Sequence, residues 1–147
     1  FPRGIAVLGW GLPYAMGAKV AQPNRQVFCL AGDGGFAHMW SELETCKREG
    51  IDVVVAVINN AILGYQMFAE EAGLGRSSNA TTLTVVDHAK VAEACGVKGI
   101  RVTKAEDIAG ALQEAFATKG TVLLDLLVEP KCIPPIPMMG VLEDVIK

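Results

Sequence analysis

The chain has 147 residues, enough for one domain with a sizeable core, and its 20% charged share is below the roughly one quarter usual for soluble domains. A net charge of -3 with no basic cluster gives no footprint for nucleic acid, and no apolar run approaches the roughly 20 residues of a membrane span. The low charge has two readings: surface that meets a neighbour, or a parallel sheet buried on both faces.

Phe1-Pro2-Arg3 is not followed by the basic start and apolar stretch of a signal peptide, and the opening reads as a cut within a longer polypeptide. Cys29, Cys46, Cys95 and Cys132 form no C-x-x-C pair, so free thiols in a reducing cytoplasm are expected rather than a zinc or redox site.

In chain order, Pro13 to Val20 carry helix formers on an apolar face, and Pro13 suits the first turn, where its missing N–H costs nothing. A turn at Pro23-Asn24-Arg25 leads to a strand from Gln26 to Ala31. From Phe36 to Glu49 the pattern is helical, with Met39, Leu43 and Cys46 at i, i+4 and i+7, and Gly50 ends it. Val53 to Ile58 is a second strand, so 26–58 forms a β-α-β unit with a right-handed crossover.

Residues 61–82 are the least regular, with a helix expected from Ile62 to Glu71 and then a loop over the site. A helix from Asp87 to Ala94 stops at Gly96, and Ile100 to Val102 is a short strand. Lys104 to Thr118 is a helix with Ile108, Leu112, Ala115 and Phe116 on one face and acidic Glu106 and Asp107 in its first turn. Thr121 to Val128 is the last strand, in which Asp125 is a lone charge that needs a partner or a proton. This alternation predicts an α/β fold, a doubly wound, mostly parallel sheet with helices on both faces. The domain is expected over 1–129, followed by a proline-rich tail over 130–147 that is irregular until Val141 to Ile146.

Two polar tips stand at the ends of the first two strands. Gly32-Asp33-Gly34 closes one, and Asn59-Asn60 closes the other. If the strands are parallel, both tips lie at the carboxyl edge, where open α/β sheets bind ligands. One carboxylate (Asp33), one amide oxygen (Asn60) and a carbonyl from the next turn would leave a hard cation room for phosphate oxygens and water, as Mg2+ prefers. Gly34 and Gly35 allow close approach of a phosphate, with a helix N-terminus behind them. The bland alternative is turn capping by Asp33 and Asn60, and Asn59 is expected to hold the turn through side-chain to backbone hydrogen bonds.

With residues 35–58 between them, the two tips resemble the diphosphate-binding signature of thiamine-diphosphate-dependent enzymes. Gly9-Trp10-Gly11-Leu12-Pro13, with Ala15, Gly17 and Ala18, is similar to the segment preceding that signature in acetolactate synthases and pyruvate decarboxylases. Pro134-Pro135-Ile136-Pro137-Met138 is similar to the end of the acetolactate synthase branch. The resemblance covers nearly the whole chain and implies the thiamine-diphosphate-binding fold, as the C-terminal domain of a three-domain enzyme. That enzyme would decarboxylate a 2-keto acid and transfer the two-carbon unit to a second carbonyl.

The resemblance further implies thiamine diphosphate and Mg2+ as cofactors. Asp33, Asn60 and the Ile62 carbonyl would hold the metal, with Leu8, Gly9, Gly32, Gly34, Gly35, Gly64 and Tyr65 around the cofactor. Leu8 matches the bulky residue that wedges under the thiazolium, with core packing as its alternative role. No catalytic residue is expected in this chain, because the activating glutamate comes from another domain of a partner subunit. N-terminal domains and a second subunit, in a homodimer or tetramer, are therefore implied.

Two other functions compete. A 2-keto acid decarboxylase of the same superfamily differs only in the fate of the two-carbon unit. A non-catalytic phosphate-binding regulatory module is disfavoured, since the chain has neither G-x-G-x-x-G after its first strand nor G-x-x-x-x-G-K-[ST] anywhere. His38 and His88 are both expected to be structural and partly exposed, and Tyr65, Gln66 and Phe68 to line a pocket or simply an amphipathic helix.

Overall fold

The computed structural model describes residues 7–130. The expectations for the tail beyond 130, including Cys132 and Val141 to Ile146, lie outside the described residues.

Helix α1 (Gly11–Ala21) leads to strand β1 (Phe28–Gly32), the one-turn helix α2 (Asp33–Phe36), helix α3 (Glu42–Glu49) and strand β2 (Val54–Asn59). Then come α4 (Gly64–Leu74), α5 (His88–Ala94), β3 (Lys98–Val102), α6 (Ile108–Ala117) and β4 (Val122–Leu127), with short 3-10 turns at Asn79–Thr81 and Ala105–Asp107. The strands are all parallel, in the order β1-β2-β4-β3.

Both faces of the sheet are covered. On one, Leu12 of α1, Phe36 of α2, Leu43 and Cys46 of α3 and Ala92 of α5 pack on Val55, Val57 and Leu123. On the other, Ala111 and Ala115 of α6 pack on Val54, Ala56, Val102 and Leu124. Connections from β1 to β2 and onward to β3 place their packed helices on the first face. The return from β3 to β4 runs the other way across the sheet and places α6 on the second, as right-handed crossovers require.

The predicted doubly wound sheet is therefore present, and both readings of the low charge have a physical basis. Strand β2 is buried on both faces, while Phe28 and Leu30 of edge strand β1 are 45% and 63% exposed on the α6 face. The crossover predicted as one helix from Phe36 to Glu49 is two. Adjacent Gly34 and Gly35 favour helix weakly, and residues 37–41 run on i to i+3 bonds such as Met39 N–H to Phe36 carbonyl, 2.9 Å. The buried positions Leu43 and Cys46 still fall on the predicted face. Gly50 closes α3 in the left-handed region at φ 64°, with Ile51 N–H reaching back to the Cys46 carbonyl at 2.9 Å. The helix expected from Lys104 likewise opens as a 3-10 turn before α6, and that expected from Ile62 starts at Gly64 and runs on to Leu74.

Gly99 marks a close approach of helix to sheet, because a Cβ there would run into the backbone of Ala89 in α5. Gly99→Ala should cost about 1–3 kcal/mol or more in urea unfolding, as overpacking does. Gly110→Ala, in α6 with open space around it, should instead stabilise by about 0.5–1 kcal/mol.

Candidate functional site

The two predicted tips meet. Parallel pairing sets Gly32 beside Ile58, so the chain leaves β1 and β2 at the same edge. Asp33 is only 4% exposed, and both carboxylate oxygens are engaged. Oδ1 accepts the Gly34 N–H at 2.8 Å, and Oδ2 accepts the Ala61 N–H at 2.7 Å, which ties β1 to the turn after β2. No cationic side chain among the described residues pairs with it.

The turn after β2 is unusual. Ala61 has φ 56°, a left-handed conformation that costs a non-glycine residue about 1–2 kcal/mol. It is held from two sides, by Asp33 and by an antiparallel bridge between Ile62 and Thr82. Leu63 N–H donates to the Thr81 carbonyl and Leu83 N–H to the Ala61 carbonyl, each at 2.8 Å. Asn60 Oδ1 accepts only a long bond, 3.3 Å, from the Ile62 N–H. Segment 81–83, which overlaps the end of the expected loop, is thus part of the site's frame.

Around this turn stand the other predicted residues. Gly34 is buried, and a Cβ on it would run into the Leu63 side chain and lie 3.3 Å from Leu83. The end of the Leu63 side chain would have to turn aside to admit one. Gly35 is 3.9 Å, at its notional Cβ, from Leu8, and Gly9 adopts φ +93° with its notional Cβ 2.8 Å from His38 Cβ. Leu8 is 48% exposed, so it is not a core residue. Gly64 opens α4 beside the Asn60 amide, Tyr65 is 71% exposed, and Gly32 has open space around it. The helix expected behind the glycines is the single turn α2, and the longer helix starting at this edge is α4.

Asp125, the lone charge of β4, has partners that the sequence did not name. Fully buried, it accepts from Asn59 Nδ2 at 2.8 Å, from the His88 N–H at 3.1 Å and from Arg101 at 2.7 Å. Arg101 sits opposite it in register on β3, a pairing readable only once strand order is known. Asn59 makes the predicted side-chain to backbone bond, but to the carbonyl of Val86 (2.8 Å) rather than to its own turn. Asp87 caps α5 through the Lys90 N–H at 3.0 Å, which, with Arg101 nearby, holds its carboxyl below the usual range.

The histidines part company. His38 is exposed, whereas His88 is 2% exposed, contrary to expectation, and lies edge-on to Phe36 and Trp40 at 5.5 and 5.9 Å. Burial pushes the His88 imidazole below its ordinary range, against the opposing pull of Asp125 and Asp33. Burial likewise pushes the Cys46 thiol up to about 11 and raises Cys29, so neither supplies a thiolate at neutral pH. Clefts of about 150 and 440 Å³ lie at the opposite, amino edge and contain none of the predicted residues.

A doubly wound parallel domain that gathers a buried carboxylate, a left-handed turn and a helix start at its carboxyl edge is an α/β cofactor-binding domain by architecture. Residues 1–126 match the family described as thiamine pyrophosphate enzyme, C-terminal TPP binding domain. Acetolactate synthase 2, chloroplastic, of Nicotiana tabacum is 36% identical over 97% of this chain and 23% of its own length. The mitochondrial acetolactate synthase catalytic subunit of Saccharomyces cerevisiae is 35% identical over 93% of this chain and 20% of its own. A thiamine diphosphate-dependent 4-hydroxybenzoylformate decarboxylase of Rhodococcus jostii superposes with a TM-score of 0.79 and 31% identity, covering 83% of this chain and 23% of that one. The chain belongs to the family of C-terminal thiamine pyrophosphate-binding domains, and it spans less than a quarter of the length of these relatives. Among the described residues no helix is long and apolar enough to cross a membrane.

His88 generates a pH prediction. Its proton is taken up at lower pH in the folded chain than in the unfolded one, so stability is full above about pH 6.5 and falls as pH drops through that value. His88→Phe should flatten this fall. Urea unfolding at about pH 7.5 and about pH 5.5 measures it, and equal losses in both proteins would assign the slope to other groups.

Proposed function

We propose that the carboxyl edge binds the diphosphate of thiamine diphosphate through Mg2+, as part of an enzyme that decarboxylates a 2-keto acid and passes the two-carbon unit to a second carbonyl. The observation that carries this is Asp33: a buried carboxylate with two N–H donors and, among the described residues, no cationic side chain paired with it. Asn60 Oδ1 and the Ile62 carbonyl complete a set of hard oxygen ligands of the kind Mg2+ takes together with phosphate and water. The residues present therefore fit the ion.

Each element of the chain then has a task. The left-handed Ala61 turn presents the Ile62 carbonyl, and Asp33 holds that turn while offering its remaining lone pairs to the metal. The N–H groups of Gly64 and Tyr65 open α4 and have no partner within their own helix, which suits diphosphate oxygens. Gly32 and Gly35 leave space for the cofactor, Gly9 makes the positive-φ bend against His38 that leads Leu8 into α1, and Leu8, half exposed against Gly35, supports the cofactor's ring system. Thiamine diphosphate held by these residues would supply the electron sink that decarboxylation of a 2-keto acid needs.

The activating glutamate is assigned to an N-terminal domain of a second subunit, so the working unit is at least a homodimer of a longer polypeptide, in the cytoplasm. The carboligase reading is supported by the acetolactate synthase relatives, and the structural likeness to a decarboxylase supports the second reading, simple decarboxylation. Membership of an enzyme family favours either over a regulatory module.

In the full-length polypeptide, Asp33→Ala should weaken Mg2+-dependent thiamine diphosphate binding by more than the roughly 10–100-fold that outer-shell changes cost. Asn60→Ala should weaken it less. Isothermal calorimetry reads both, and an unchanged affinity in Asp33→Ala would remove the metal assignment.

A further inference from the structure

Four segments converge on one buried oxygen pair beside the proposed metal turn. Asp125 of β4 accepts from Asn59 at the end of β2, from the backbone N–H of His88 at the start of α5 and from Arg101 of β3. Asn59 also holds the Val86 carbonyl at 2.8 Å, and Arg101 lies 3.5 Å from both that carbonyl and an Asp87 carboxylate oxygen. Asp125 is fully buried and Asn59 is 1% exposed, so water cannot replace these bonds when one is lost.

Asn59 immediately precedes Asn60, and segment 81–83, which pairs with the metal turn, runs into Val86 and Asp87. The turn from Asn60 to Leu63 is thus suspended between two anchors. One is Asp33, through the Ala61 N–H; the other is Asp125, through Asn59 on one side and through Val86 and His88 on the other. A left-handed alanine does not keep its geometry unaided, and only a frame fixed at both ends over-determines it.

We infer that Asp125, with Asn59 and Arg101, is a positioning cluster that sets the affinity of the site for its divalent cation by fixing where the Asn60 amide oxygen and the Ile62 carbonyl stand. This rests on the cation reading of Asp33, Asn60 and Ile62 given above. None of the three residues is among the proposed ligands. They act as the outer partners of metal ligands do, by orienting them.

Asp125→Asn is the sharpest test, because it keeps shape but adds a donor. In either orientation its NH2 faces a donor, the Asn59 amide on one side or the His88 N–H and Arg101 on the other. If Asn59 turned over to accept it, the bond to Val86 would be lost. The measurement is Mn2+ affinity by paramagnetic resonance in the full-length polypeptide with thiamine diphosphate, at a temperature where all variants are folded, together with the unfolding temperature. A positioning role predicts a Kd for Mn2+ raised about 10-fold or more in the folded protein.

A lowered unfolding temperature with unchanged Kd means a merely structural cluster and overturns the inference. Should Asp125→Asn not fold, Arg101→Lys at a 27% exposed side chain keeps the charge but, on a shorter side chain without the planar guanidinium, not the placement of Nη1, which contacts both Asp125 and Val86. A several-fold weaker Mn2+ affinity supports the inference, and wild-type affinity overturns it. A wild type that binds no Mn2+ overturns the cation reading and this inference with it. A wild type that binds beside an Asp125→Asn that binds equally overturns this inference alone.

Discussion

The hydrogen bond from the Ala61 N–H to the Asp33 carboxylate is the contact on which the carboxyl edge depends. It joins the first residue after β1 to the turn after β2, and so converts two independent strand ends into one rigid corner. A buried carboxylate would ordinarily destabilise a fold, because desolvation penalises its charge. Here two backbone donors offset part of that penalty. Under the proposed function, fold stability and metal affinity are coupled through the same two oxygen atoms.

The corner can be rigid because the sheet behind it is dry. Strands β2 and β4 are covered on both faces, so their ends have little freedom to shift relative to one another. Strand β1 is different: it sits at the edge, its Cys29 faces the core and its Phe28 and Leu30 do not. The half of the corner contributed by β1 therefore relies more heavily on the side-chain bond from Asp33, and the half contributed by β2 on packing and on the Asp125 cluster.

Much of this was legible in the sequence, for identifiable reasons. Short apolar runs closed by polar tips revealed β1 and β2 and the edge where their tips meet, because parallel strands read as near-continuous apolar runs, in β1 even though one of its faces stays exposed. Periodicity found the buried face of the α3 segment but not its break, since Leu43 and Cys46 keep their spacing whether or not the turn before them is helical. What escaped was everything that depends on strand order: the match of Arg101 to Asp125, the burial of His88, and the pairing of 81–83 with the Ala61 turn. Ala61 escaped for another reason. An alanine carries no mark of the left-handed backbone it adopts, and a glycine or asparagine there would have.

The interlock at Gly34 has a consequence for how this corner can change over time. Leu63 and Leu83 border the volume that a side chain at position 34 would enter, so the three positions share one space. A methyl group gained at 34 makes the end of the Leu63 side chain turn aside, and a smaller residue at 63 widens the room beside Gly34. Substitutions at 34 and 63 are therefore coupled rather than additive, and what position 34 accepts depends on which neighbour stands at 63.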